Sequence, residues 1–347
     1  MSLYHTHTAF LRHALNHTVT ATLTPYIRIC FIILSIITHY QLYSAPSLQK
    51  ITTFFTRTLP EEIEQKKYEI PSIITLIVRN LSGNITVTTT PTPVIDSTLS
   101  QQQPFTIFMK AIKKASTPEQ CKEITISSLL ESNTLTISTD KTTAAYAGKV
   151  DYHLIIPAHV NLTLETHKGN IHTDDTHGIA VITTTHGNIN CSNTHQTVTA
   201  QTKEAGSITI EQAYKPIYAT TKKGTILIQD ALDSITASAE KGPITAHCTR
   251  LPAQGCIHIR TTTGPITLHL PHAIHASVHA SSAQGTVTCD HLITIDPHTT
   301  RLNTHAWSMF KKEVRGRLGK DVTKIPSSAI VLNSVDSGIK IRESACT

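Results

Sequence analysis

Apolar and polar residues alternate over short runs that recur between Leu162 and Cys289. The inward set reads Leu162, Leu164, Thr166; Ala180, Ile182, Thr184; Val198, Ala200, Thr202; Ile217, Ala219, Thr221; Ile235, Ala237, Ala239; Ile257, Ile259, Thr261; and Val278, Ala280, Ser282. Residues between them are mostly polar, among them Thr163, Glu165, Thr199, Gln201, Thr236 and Arg260. A period of two predicts strands with one buried face. Each run leads into a glycine, one further residue, and Ile or Val. The glycines are Gly169, Gly187, Gly206, Gly224, Gly242, Gly264 and Gly285, separated by 18, 19, 18, 18, 22 and 21 residues. A fixed period near 20 marks a unit that buries its apolar face by stacking on its neighbours.

After each glycine the alternation resumes, with Thr173, Cys191, Ile210, Ile228, Ala246, Leu268 and Cys289 four residues on. Each coil therefore holds two short strands joined at a glycine turn that needs positive φ or close backbone approach. β-Branched residues dominate and no 3.6-residue period appears, which excludes helices. The expected fold is all-β: a parallel, single-chain β-solenoid of about seven coils of 18–22 residues, over residues 161–296. Thr, Ser and Ala columns suit a narrow interior. Tyr214 and Tyr218 are the sole Phe, Tyr or Trp residues of that stretch.

The flanks read differently. Residues 46–160 lack the glycine period but remain strand-rich, and are expected to cap the first coil, since an open end presents unpaired strand edges. Strands are predicted at Ile73–Val87 with a Gly83-Asn84 turn, Phe105–Lys113, Ile124–Ser128, Leu135–Ser138 and Lys149–Ile156, with Phe105 and Phe108 as the sealing bulk. Residues 297–347 form a loop with a basic segment around Gly316 and Gly319, then a closing strand pair at Ile330-Val331-Leu332 and Gly338–Ile341. Residues 1–45 contain an apolar run, Ile29–Thr38, too short to span a bilayer and matching the core of a secretory signal. A cut after Ala45 is expected; a buried strand or short helix is the competing reading.

Such a cut removes Arg12 and Arg28 and lowers the formal charge from +6 to +4. That balance does not call for nucleic acid, and no recognition motif for it is present. An exported chain can pair cysteines. Cys248 and Cys256 flank the loop of the 22-residue coil and are the one candidate disulfide, with two free thiols as the alternative. Cys191 and Cys289 sit several coils apart and cannot join.

Taken together, Ile155-Ile156-Pro157, the run Val160–Glu165 into Gly169-Asn170-Ile171, the repeats, the Gly316–Gly319 segment and Ser337–Ile341 resemble a known group. They are similar to exported bacterial proteins classed as adhesins, including the head domain named for a Gly-Ile-Asn motif, over residues 70–345. The resemblance implies a solenoid, export, and a surface-contact role. No C-terminal barrel, sorting signal or hydrophobic tail accompanies it, so the means of display is open.

Three constellations are candidates for chemistry. Lys203, Lys222, Lys223 and Lys241 recur before the glycines of three consecutive coils, a weak basic ridge interleaved with Glu204 and Glu240. His177 and His195 share a column on adjacent coils; His269, His272, His275 and His279 cluster near Pro271. Both histidine sets read as solvated positions, and no metal or cofactor is expected. Asp174, Asp175, Glu204, Glu211, Asp230, Asp233 and Glu240 are the candidate carboxylates for glycan cleavage, which needs two close together on one face. No two of them share a column on neighbouring coils, so no catalytic residue is assigned.

The expected function is a non-enzymatic exported envelope protein, located at the cell surface or in the periplasm. Its partners would be envelope or host-surface macromolecules, with peripheral membrane association and end-to-end self-association as further expectations. A scaffold for a membrane protein partner and a polysaccharide-cleaving enzyme are the alternatives.

Overall fold

A computed structural model describes residues 59–70, 75–90, 105–140, 142–295, 312–319 and 328–344, and the repeats in it stack as the alternation predicts. The N-terminal part supplies β1 (Glu61–Ile70), β2 (Thr75–Ser82), β3 (Ile85–Thr90), β4 (Phe105–Lys114), helix α1 (Pro118–Glu123), β5 (Ile126–Glu131), β6 (Thr134–Thr139), helix α2 (Thr143–Ala147) and β7 (Lys149–Pro157). The repeats follow as pairs: β8 (Asn161–Lys168) with β9 (Ile171–Asp174), β10 (Ala180–His186) with β11 (Ile189–Thr194), and β12 (Val198–Ala205) with β13 (Ile208–Ala213). Next come β14 (Ile217–Lys223) with β15 (Ile226–Ala231), β16 (Ile235–Lys241) with β17 (Ile244–Cys248), and β18 (Cys256–Thr263) with β19 (Ile266–Leu270). The chain closes with β20 (Ala276–Ser282), β21 (Val287–Cys289), β22 (Ile293–Ile295), β23 (Glu313–Leu318), β24 (Ser328–Ser334) and β25 (Ile339–Glu343).

First strands of the pairs join one sheet and second strands the other, in parallel register. Ile189 stands between Ile171 and Ile208, and Ile182 between Leu164 and Ala200. The inward side chains of both sheets form a single core running the length of the stack. The one-residue excess of the Gly187-to-Gly206 step is absorbed as a register shift between Thr184 and His186.

Two columns explain the repeat motif beyond its glycine. The inward threonine three residues before the glycine donates to the glycine carbonyl one coil below, as in Thr184 Oγ1 to Gly169 O at 3.1 Å and Thr221 to Gly206 at 3.0 Å. The residue after the glycine forms an outer ladder. Asn84 Oδ1 accepts from the Asn170 N–H at 3.0 Å, Asn170 from Asn188 at 2.8 Å, and Asn188 from Ser207 at 2.9 Å. Both columns satisfy turn groups that the strand ladders leave free.

Four differences from the sequence reading stand out. Beyond β6–β7, which pairs in parallel with β2–β3 at the capped end, the stack holds nine strand pairs among the described residues, against about seven expected. One addition is β2–β3, placed in the cap by its distance from the repeats, yet pairing with β8 and β9 in full register. Its Gly83 sits beneath Gly169. The other addition is β24–β25, expected to follow the last coil. It lies instead between β18–β19 and β20–β21, where each of its strands gains two parallel neighbours. β20 carries antiparallel β23 on its far side, so its remaining ladder is open to β24.

Third, Phe108 does not plug the first coil. It is 45% exposed, with the Lys67 ammonium over its ring, because its position on β4 faces outward. Ile107, Met109, Ile124 and Tyr152 are buried there instead. The Tyr152 hydroxyl shares a 2.7 Å hydrogen bond with Thr139, which donates to Asn80 Oδ1, and Asn80 Nδ2 donates to Gly83 O. Burial pushes the Tyr152 phenol well above its ordinary pKa. The Phe105 side chain lies outside the described residues, as do Ile29–Thr38 and Ala45.

Fourth, the candidate disulfide is not formed: Cys248 and Cys256 are separate thiols. Cys248 closes β17 pointing into the core, whereas Cys256 opens β18 at an outward position and is exposed. Cys191 and Cys289 are likewise free. Burial pushes the Cys191 thiol up to about 11 and that of Cys248 up to about 12, from an ordinary 9. The folded chain thus holds two protons that the unfolded chain releases above about pH 9. Stability contributed by these thiols is full below about pH 9 and is lost as pH rises through 11–12. We expect Tm to fall across that window and the fall to be smaller in Cys248→Ala. In folded protein at neutral pH, iodoacetamide should label Cys256 and spare Cys191 and Cys248; mass mapping checks both the pattern and the missing disulfide.

Candidate functional site

The second corner of each coil was not read from the sequence. Six residues after the glycine, Asp175, Asn193, Gln212 and Asp230 adopt left-handed backbone with φ of 55, 51, 54 and 53° on four consecutive coils. Asp and Asn tolerate this region because their short polar side chains bond locally. The next column inward is small and buried: Thr176, Thr194, Ala213, Ala231. One residue later the chain points outward with His177, His195, Tyr214 and Leu232.

Stacking brings these rings together. His177 and His195 lie face to face with centroids 3.9 Å apart and planes 27° apart. Tyr214 continues the stack on His195 at 4.6 Å and 7°, and His159 meets His177 edge-on at 5.5 Å. The left-handed turn at Asp175 brings its carboxylate against both imidazoles. Asp175 Oδ1 is 3.4 Å from His177 Nε2 and 3.6 Å from His195 Nε2. Thr89 of β3, one coil below, donates to Asp175 Oδ2 at 3.2 Å and to its backbone carbonyl at 2.9 Å. Donor atoms of Asp175, His177 and His195 all fall within 4.8 Å of one another, and each residue is partly buried. Among the described residues this is the one such group of His, Cys, Asp and Glu that is able to hold a metal ion. In the sequence the two histidines form a column and Asp175 stands as a separate carboxylate. The signal that joins them is the Asp-x-His spacing at a turn, with a second histidine 18 residues on.

Other candidates disperse. Asp174 accepts from Ser192 at 2.6 Å and is two coils from Glu211, with Ser192 between them. Lys222 intervenes beside Glu204 at 3.0 Å and holds that carboxyl below the usual range. Lys203 pairs with Glu165 at 3.5 Å, so the basic ridge is partly neutralised, while Lys223 and Lys241 adjoin in one column. The late histidines do not converge. His269 packs edge-on near His247, and burial, then His247 and Arg342, lower its pKa. His272 bonds Glu343, and His279 bonds Glu313 at 3.1 Å. His247 sits between Asp230 Oδ1 and Ser344 Oγ, each 3.0 Å away. Shallow recesses lie toward the C-terminal coils, one touching Arg260, Ser281, Lys312 and Asn333.

No curated protein matches the chain at a significant level. A solved structure from Bacteroides fragilis NCTC 9343, described as a "putative adhesin", aligns with a TM-score of 0.44 at 14% identity, over 82% of this chain and 97% of that one. One from Parabacteroides distasonis ATCC 8503, described in the same words, gives 0.37 at 9% identity, over 82% and 97%. A "putative cell adhesion protein" from Clostridium sporogenes ATCC 15579 gives 0.25 at 11% identity, over 82% and 100%. At these scores no property of theirs transfers to this chain. The profile of one family matches residues 58–313, well over half the sequence, and the chain belongs to that family, Toastrack DUF4097.

Proposed function

We propose that the protein is an exported, non-enzymatic contact protein of the cell envelope whose solenoid offers a long polar face to envelope or host-surface macromolecules. The observation that carries this reading is the outward Thr, Ser and Gln columns, such as Thr183–Gln201–Thr220–Ser238, running in register along a sheet of 13 strands. Repeated weak hydrogen-bonding sites at roughly 4.8 Å spacing suit multivalent contact with a repetitive polymer, where avidity replaces a deep pocket. Dispersal of the candidate carboxylates supports the absence of glycan cleavage.

A second reading, a scaffold for a membrane protein partner, is favoured by β5. It is an edge strand of the 13-stranded sheet that exposes Leu129 and Leu130 at 56% and 47%, a surface suited to strand addition.

The test is a C-terminal tag on the full chain in its native cell, with fractionation, protease shaving and N-terminal mapping. The expected result is a fragment beginning near Pro46 that shaving removes. The same fragment protected from protease favours the internal scaffold. Uncut chain in the cytosol overturns export and, with it, both envelope readings.

A further inference from the structure

We propose that Asp175, His177 and His195 bind one divalent transition-metal ion, zinc being the expected occupant. Zinc takes imidazole nitrogen and carboxylate oxygen at about 2.0–2.2 Å in tetrahedral geometry, which places neighbouring donors about 3.3 Å apart. The two carboxylate-to-imidazole separations, 3.4 and 3.6 Å, already match two edges of such a tetrahedron. Closing the third edge requires the two imidazole nitrogens, which lie within 4.8 Å of each other, to turn toward a common point. Two imidazoles with one carboxylate suit zinc, nickel or copper and not calcium or magnesium, which take mostly oxygen.

The carboxylate is oriented for this role. Thr89 holds Asp175 Oδ2, leaving Oδ1 turned to both rings, an arrangement of the kind that fixes ligands around metal centres. The corner is also particular to its coil. The equivalent residues one coil on are Asn193 and His195, then Gln212 and Tyr214, then Asp230 and Leu232. A carboxylate with two imidazoles arises at the first of these corners alone. Side chains of the three ligands are 45%, 33% and 35% exposed, so a fourth position faces solvent and accepts water or a donor group of a bound molecule. The site stands independently of the contact role proposed above.

Neighbouring coils supply the test variants. Asp175→Asn installs the residue found at Asn193 with the same backbone, and His195→Tyr installs that of Tyr214, keeping the ring stack while removing Nε2. The full chain, without a polyhistidine tag and stripped of metal, is titrated with Co2+ and Zn2+. One strong equivalent is expected, with the intense visible absorption of tetrahedral Co2+ and a rise in Tm on adding Zn2+. Each variant should weaken binding about tenfold or more and abolish the Co2+ band. His247→Gln, which removes a histidine elsewhere, should leave the strong site intact and reports background from the 21 histidines of the chain. Wild type without the Co2+ band or the Tm rise, variants that bind as wild type does, or loss of the strong site in His247→Gln would each overturn the assignment.

Discussion

Gly187→Ala is expected to destabilise the solenoid by roughly 2–6 kcal/mol, summing strained backbone with overpacking. Gly187 has φ +148°, a region that L side chains rarely adopt. An added Cβ would stand 2.0 Å from the Gly169 carbonyl oxygen and 2.6 Å from its carbon, both backbone atoms. Those atoms are not free to yield. The Gly169 N–H donates to His186 O at 2.9 Å and the Gly187 N–H to Ala205 O at 3.0 Å, so the spacing of adjacent coils is set by the ladder itself. The close approach recurs on the next coil, where a Cβ added at Gly206 would in turn meet Gly187 O. Asn188→Ala is the control. It removes the Oδ1 that accepts the Ser207 N–H at an exposed site, a loss of about 1 kcal/mol. Urea unfolding followed by circular dichroism compares them, and the first transition is read because coils can unfold separately. Equal effects of the two substitutions would refute glycine contact as the reason for the motif.

Legibility in the sequence followed the range of the interaction involved. Strand alternation and the glycine turn are local, repeat seven times, and place Ile171, Ile189, Ile208, Ile226, Ile244 and Ile266 in one buried column as expected. The left-handed corner was missed because Asp, Asn and Gln share no single letter, although they share a backbone conformation. The coil at β2–β3 was missed because Gly83 precedes Gly169 by 86 residues, which hides the period. The candidate metal corner needs both facts. Only when coils are stacked and the αL turn is known does Asp175 swing onto His177 and His195. Thr89, from the coil that the period did not reveal, completes it. Cys248 and Cys256, close in sequence, show the converse: adjacency along the chain says nothing of which face of a strand each thiol occupies.

Removing β24–β25 should release the final coil while leaving the earlier ones folded. In solenoids each repeat contacts only its neighbours, so loss of an internal repeat cuts the stack at that point. β20 is held by β24 and β23, and β21 pairs with β25. Neither touches β18 or β19 in the ladder. The pair buries Ile330, Leu332, Ile339 and Ile341, each at 1% exposure or less, which amounts to roughly 6–12 kcal/mol as an upper bound. Within it Leu332 stands between Ile259 and Ala280, and Leu332→Ala should cost about 2–5 kcal/mol through the cavity it leaves. Hydrogen exchange on a chain ending at Ser327 separates the outcomes. Amides of Ala276–Ser282 should lose protection, while those of Ile189–Thr194 and Ile208–Ala213 keep it. Retained protection over Ala276–Ser282 would mean that β20 docks directly on β18 and that the intercalated pair is dispensable. Protection lost throughout the stack would instead mean that the coils fold as one cooperative unit, contrary to the nearest-neighbour account.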